Sequence, residues 1–357
     1  MITHVLPPRR RQTLRWLCCC FLSLVFAALL SGCRSFPERY FTQSLPETLP
    51  VPTIAGTPIT LDILTYNIEG LQWPARSRRA HKLTQIGEIL RALNASGHAP
   101  DLVLFQEAFS SAAIRSVKAS GYPYMAGGPS RTQRSIDRTR VKKPGKPPLL
   151  KGELGIRFAG SGLVIASRYP ILAIMSDPYS RKTCAGFDCL SNKGVMMVRV
   201  AIPGLPSPVD IASTHMNAQR ASKVREGRHL AAHQAQVKEL RMFLDRYHRP
   251  SNPLILGGDF NMRGSTARFD TFRRYVPMAL VHEYCVTHAG CDIALSWDGD
   301  APWMDTQDLQ LFSSGLHVAV QPIRVEAMFD GSSGSPRLSD HDGFRVVYRL
   351  DSGSSSD

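Results

Sequence analysis

Ser339-Asp340-His341-Asp342, close to the end of a 357-residue chain, sets a histidine between two carboxylates. A histidine so placed can hold a water and take its proton, provided a carboxylate fixes the tautomer; Asp340 and Asp259 are the two candidates for that partner. Three more polar clusters each close an apolar run. Asn67 and Glu69 follow residues 61–66, Glu107 follows 102–106, and Asp259 with Asn261 follows 254–258. Carboxylate and amide oxygens collected at strand ends are hard donors, and they suit a hard cation such as Mg²⁺.

These groups need a scaffold that brings strand ends together. Ile59–Asn67 reads as a strand, and Leu83, Ile86, Leu90 and Leu93 then recur at helical spacing until Asn94 and Gly97 stop the turn. Leu102–Gln106 is a second buried strand; further strands are expected at 162–167, 194–202, Val209–His215 and 254–258, and the chain closes with Val318–Met328 and 344–350. A long helix carrying Leu230, Val237, Leu240 and Leu244 on one face should end before Pro250, with His229 and His233 on its outer surface. Strands outnumber helices, which favours two packed sheets with helices outside over a doubly wound parallel sheet.

Composition allows a large core, with 43% apolar residues. The formal charge is +14; without Arg9, Arg10, Arg11 and Arg15 it is still +10, from 39 basic and 29 acidic residues. Such a balance suits an anionic partner: phosphate, nucleic acid or an acidic membrane surface. Residues 131–151 carry eight of the cations against Asp137 alone and are broken by prolines, so a basic, mobile loop is expected.

The four early arginines, the apolar stretch 16–30 and then Leu30-Ser31-Gly32-Cys33 read as an export signal over residues 1–33. Fifteen positions fall short of the roughly 20 that span a bilayer. The small residues before Cys33 resemble the lipobox of bacterial lipoproteins, which implies an acylated Cys33 and an exported protein anchored to the cell envelope. Arg34 in place of an aspartate favours the outer membrane. Residues 34–58, rich in Pro, Thr and Ser, then form a tether, residues 59–350 the catalytic domain and 351–357 a disordered tail. Cys184, Cys189, Cys285 and Cys291 allow three pairings; two local bridges, 184 to 189 and 285 to 291, fit an oxidising compartment better than a four-cysteine zinc site, which wants tighter spacing.

Leu64-Thr65-Tyr66-Asn67-Ile68, Gln106-Glu107, Ser213-Thr214-His215, Gly257-Gly258-Asp259-Phe260-Asn261 and Ser339-Asp340-His341 stand in the order found in the endonuclease/exonuclease/phosphatase superfamily, and the chain resembles it over residues 59 to 350. The resemblance implies an α+β fold, a four-layered DNase-like α/β sandwich of two packed mixed sheets flanked by helices, and hydrolysis of phosphate esters with Mg²⁺ or another divalent cation such as Mn²⁺. It implies Glu107 as principal metal ligand with Asn67 beside it, and His341 as base for the attacking water. Asp259, Asn261 and His215 would lie against water and phosphate, with Asp340 on the base or the metal side. The segment 167–172 followed by Asp188-Cys189-Leu190-Ser191-Asn192-Lys193-Gly194 is similar to the neutral sphingomyelinases, in which an aspartate and a lysine five positions apart act as a substrate-binding switch; Asp188 and Lys193 have that spacing. The superfamily's Leu-Asp-Tyr-Ile-like segment is matched poorly at 305–312, where only Asp308 corresponds.

The expected activity is therefore that of a phosphodiesterase of the phospholipase C kind acting on a phospholipid at a membrane surface, as a monomer with no obligate protein partner. A secreted nuclease of the same chemistry is the second reading, although the basic loop offers few aromatics for stacking bases. An inactive envelope lipoprotein is a third, and retention of every acid–base and metal residue argues against it.

Overall fold

The computed structural model describes residues 59–71, 75–296, 301–332 and 334–352. The predicted signal, Cys33 and the tether lie outside the described residues. Thirteen strands are present among the described residues: β1 (Ile59–Asn67), β2 (Leu102–Gln106), β3 (Tyr124–Gly127), β4 (Val164–Ser167), β5 (Ile171–Pro178), β6 (Gly194–Val200), β7 (Val209–His215), β8 (Leu254–Asp259), β9 (Ala279–Leu280), β10 (Asp292–Ala294), β11 (Asp308–Ser313), β12 (Val318–Met328) and β13 (Gly343–Ser352). The helices are α1 (Arg79–Ala95), α2 (Ser111–Ala119), α3 (Glu226–Tyr247), α4 (Thr266–Tyr275) and α5 (Val281–Thr287).

Alternation along β1 sets the layering. Leu61 and Ile63 face one core and Leu64 and Tyr66 another, because successive side chains of a strand point to opposite faces. The first core is the space between two sheets, one ordered β10-β12-β13-β1-β2-β4-β3 and the other β5-β6-β7-β8-β11-β9. Ile63 and Leu104 meet Met196, Val198, Ile211 and Ile255 there. On the outer face of the first sheet α1 sets Leu83, Ile86 and Leu90 against Tyr66 and Phe105; on that of the second, α3 and α4 set Val237, Leu240, Phe243 and Phe269 against Met197 and Leu256. Both sheets are mixed, so the structure has the expected four layers: helices, sheet, sheet, helices.

Several expectations need correction. β13 runs through Ser352, two residues into the stretch assigned to the tail. His229 and His233 are buried, not on the helix surface, since α3 turns that face onto the second sheet and α4. The 131–151 loop is fastened: Asn192 Nδ2 donates to Ser130 O at 2.6 Å and Gln133 O at 3.0 Å, and Gln133 Nε2 donates to Ser176 O at 2.8 Å. Further along, Arg228 Nη1 holds Pro144 O at 2.9 Å and Gly145 O at 3.0 Å. The disulfides are Cys184–Cys189 and Cys285–Cys291, each closing a short local loop.

Candidate active site

Register gathers the functional side chains. β7 and β8 are parallel with His215 opposite Asp259, and β11 is antiparallel to β8 with Asp308 opposite Asp259. His215, Asp259 and Asp308 therefore stand in a row at one end of the second sheet. In the first sheet β1 and β2 are parallel with Asn67 opposite Gln106, which puts Glu107 next at the same edge. The two rows meet where Asn67 Nδ2 donates to Asp259 Oδ2 at 3.0 Å.

The chain leaves these strands by sharp turns. Glu69, Glu107 and Asn261 have φ of 49°, 60° and 53°, a left-handed conformation costing roughly 1–3 kcal/mol for residues other than glycine, which the surrounding structure must hold in place. Two glycines make room. A Cβ on Gly70 would stand 2.2 Å from Glu107 O, and one on Gly258, at φ 146°, 2.1 Å from Thr214 O, so each position allows two backbones to close on the site. Arg79, which is 7% exposed, ties the first turn to the His341 loop: it donates to Ile68 O at 2.8 Å, Glu69 O at 2.9 Å and Leu338 O at 2.7 Å.

His341 comes from that loop. Ser339 Oγ donates to Asn67 O at 2.7 Å and accepts from His341 N at 3.3 Å, fixing the turn to the end of β1. The imidazole Nδ1 lies 2.5 Å from Asp308 Oδ2, while Nε2 faces the site, 4.0 Å from Asp259 Oδ2 and 3.4 Å from Gln307 Nε2. Asp308 thus holds the tautomer, a role expected of Asp340 or Asp259. Asp340 is turned outward: its side chain is 52% exposed, with Arg76 3.6 Å away. Burial disfavours the His341 imidazolium, but attraction to Asp308, the hydrogen bond to it, and the fields of Asp259 and Glu107 prevail and hold the pKa well above its ordinary value. Burial raises Asp308 itself to about 6.

Asp259 is the hub. Its Oδ2 accepts from Asn67 and lies 3.2 Å from His215 Nε2, and its Oδ1 accepts from Asn261 N at 3.0 Å. Burial opposes its ionisation; His215, His341 and Lys193 outweigh burial and hold the carboxyl well below the usual range. His215 Nε2 is also 2.8 Å from Lys193 Nζ. A neutral ring serves one of these neighbours at a time: protonated at Nε2 it donates to Asp259, and protonated at Nδ1 it accepts from Lys193. Lys193 Nζ completes its set with an ion pair to Asp188 and a bond to Met216 O at 3.1 Å; Asp188 Oδ2 accepts from Ala218 N at 3.0 Å. The Asp188–Lys193 pair is thus a buried link into the site and not a solvated bridge at a loop end.

The site brings together all the predicted residues that are described, except that the Asp340 carboxylate points away. Sequence reasoning missed Arg79 and Arg268. Arg268 is 1% exposed and donates to Asn217 O and Asn261 O, both at 2.7 Å, and to His229 Nδ1 at 2.8 Å, fixing the turn that carries Asn261. Nothing in a helical Arg-Phe-Asp segment separates such an arginine from a surface one.

Among the described residues no three His, Cys, Asp or Glu side chains are grouped to hold a metal ion. Glu107 and Asn67 nevertheless fit a hard cation. Mg²⁺ keeps several waters and needs one or two protein carboxylates plus substrate phosphate. The half-buried Glu107 carboxylate takes no hydrogen bond or ion pair from any described residue, and Asn67 Oδ1 accepts only Glu69 N, at 3.1 Å.

Two stacked mixed sheets with a histidine–carboxylate cluster at their common edge define a DNase-like phosphoesterase scaffold. The family model described as "Endonuclease/Exonuclease/phosphatase family" matches residues 64–341, and the chain belongs to that family, whose members are hydrolases acting on phosphodiester bonds. No curated protein matches by sequence. Similar solved structures include a Staphylococcus aureus beta toxin with bound magnesium ions, 18% identical, with TM-score 0.52 over 83% of this chain and 100% of that one. Sphingomyelinase C from Streptomyces griseocarneus is 19% identical, with TM-score 0.51 over 82% and 99%. A D. rerio TDP2 complexed with single-strand DNA product is 13% identical, with TM-score 0.52 over 81% and 98%.

Proposed function

We propose that the chain is a divalent-metal-dependent phosphodiesterase that releases the phosphorylated headgroup of a phospholipid, as a phospholipase C acting on sphingomyelin does. The observation that carries the chemistry is His341, with Nδ1 on Asp308 and Nε2 aimed at the Asp259 pocket. In its neutral form Nε2 takes a proton from a water whose oxygen attacks phosphorus; the bond from phosphorus to the lipid oxygen breaks, that oxygen takes a proton from solvent water, and His341 returns its proton to solvent. Asn261 and Asp259 orient the water and phosphate, while His215 and Lys193 offset negative charge building on the phosphoryl oxygens. A divalent ion held by Glu107 and Asn67 would add positive charge at a phosphate oxygen and offset the carboxylate field that retains the His341 proton.

The lipid reading is supported by the buried Asp188–Lys193 pair and by the likeness to sphingomyelinase C. The TDP2 structure with its DNA product favours a nuclease as the second reading. Incubation with Mg²⁺ and, in parallel, sphingomyelin, phosphatidylcholine, an inositol phospholipid and plasmid DNA separates them. Phosphocholine release that EDTA abolishes is expected, whereas DNA nicking without lipid turnover would establish the nuclease. The envelope anchor at Cys33 belongs to the same proposal; Cys33→Ser should leave catalysis intact in detergent and release the protein from membranes.

A further inference from the structure

Large apolar side chains stand exposed beside the active-site link. Leu150 is 96% exposed, Leu154 60%, Ile156 56% and Phe187 43%. Leu150 comes from the end of the basic insertion, Leu154 and Ile156 from the residues just after it, and Phe187 from the turn that carries Asp188. Tertiary contacts hold these segments side by side. Glu153 Oε1 accepts from Gly186 N at 2.9 Å, a Cβ on Gly152 would lie 3.0 Å from Gly186 O, and Arg181 donates to Gly155 O. Glu153 also takes Arg228 Nε at 2.8 Å and has Lys143 Nζ at 3.3 Å, so the insertion is clamped to the start of α3. The exposed residues are therefore displayed on a fixed support. Exposed cations lie along the same segments: Lys151 follows Leu150, Arg181 donates to Gly155 O, and Lys223 O accepts Lys151 Nζ at 2.7 Å.

Contiguous exposed apolar groups rimmed by polar ones mark an interaction surface. Apolar side chains together with Lys and Arg match a lipid bilayer, whose acyl boundary receives the former and whose anionic headgroups attract the latter. Phe187 is linked to the site through the chain, since it precedes Asp188, the partner of Lys193. We infer that Leu150, Leu154, Ile156 and Phe187 form a bilayer-docking surface that presents the active site to anionic membranes. This deepens, and rests on, the reading of the substrate as a lipid diester.

Insertion can be read without turnover. Leu154→Trp in the full chain adds one indole to the patch, and vesicles of phosphatidylcholine and phosphatidylglycerol (3:1) carrying brominated acyl chains should quench the added emission relative to the parent protein. The combined variant Leu150→Ser, Leu154→Ser, Ile156→Ser should lose about tenfold or more of its turnover on such vesicles while hydrolysing a water-soluble phosphodiester at the parental rate. An added indole indifferent to brominated lipid, or vesicle turnover unchanged by the three serines, overturns the inference. A dimer in light scattering that the serines dissolve also overturns it, by assigning the patch to a second copy. Failure of the catalytic reading is separate: quenching would persist with no phosphodiester hydrolysed.

Discussion

Replacing Asp308 by asparagine keeps the shape of the carboxylate and removes the charge that holds His341. The 2.5 Å contact between Asp308 Oδ2 and His341 Nδ1 can then take two forms. If the amide nitrogen faces the ring, Nδ1 must accept, the proton moves to Nε2, and the ring no longer takes one from water. If the amide oxygen faces the ring, the tautomer survives, but the amide N–H groups occupy the place of Asp308 Oδ1, which is buried with no partner among the described residues. Either form removes much of general-base catalysis, generally about 10²–10⁴-fold, or about 3–5 kcal/mol of barrier. The pH profile gives the sharper test. Asp308 helps hold the His341 pKa well above 6.5, and the base works only when neutral, so activity rises with pH through that value. Without Asp308 the pKa falls, and the acid limb of kcat/KM moves to lower pH even as the plateau drops. A bound ion contributes equally to both proteins and cancels in the comparison. The assay is kcat/KM for a soluble phosphodiester against pH at saturating Mg²⁺, with thermal melts to show that the variant folds. An unmoved acid limb, or a loss below tenfold, refutes the assignment of Asp308.

Mg²⁺ at about a hundred times its Kd should stabilise the folded chain by about 2.7 kcal/mol, raising Tm in a thermal melt; Glu107→Gln should abolish both the shift and hydrolysis, and a shift that persists in the variant removes Glu107 from the metal site. Lys193→Met leaves Asp188 buried without its cation, which should cost about 3–5 kcal/mol in urea unfolding. Adding Asp188→Asn should recover most of that stability and none of the activity; recovery of both would reduce the pair to a structural link.

Local patterning was enough to read most of the frame. Leu102–Gln106 and Val318–Met328 were legible to the residue because a fully buried strand and a long alternating one announce themselves by composition alone. β11 was not, since Asp308-Leu309-Gln310-Leu311 places polar residues in a buried strand whose partners are distant in the chain: Gln310 Nε2 donates to Ile63 O and Phe344 O, both at 3.0 Å. The site followed the same division. Strand-end residues in known order pointed to His341, Asp259, Asn261, His215, Glu107 and Asn67, which the fold gathers at one edge, whereas the histidine's partner, expected to be Asp340 or Asp259, is Asp308, placed there by a sheet register that sets it opposite Asp259. The exposed basic loop was legible in composition; its attachment through Glu153 and Arg228, 75 positions apart, was not.

The most direct test of hydrolysis at phosphorus by a His341-activated water is turnover of sphingomyelin by the full chain in ¹⁸O-labelled water with Mg²⁺. The account predicts phosphocholine bearing one ¹⁸O on phosphorus, unlabelled ceramide, and loss of the reaction in His341→Ala. Label in the ceramide, or undiminished phosphocholine release by the variant, would contradict it.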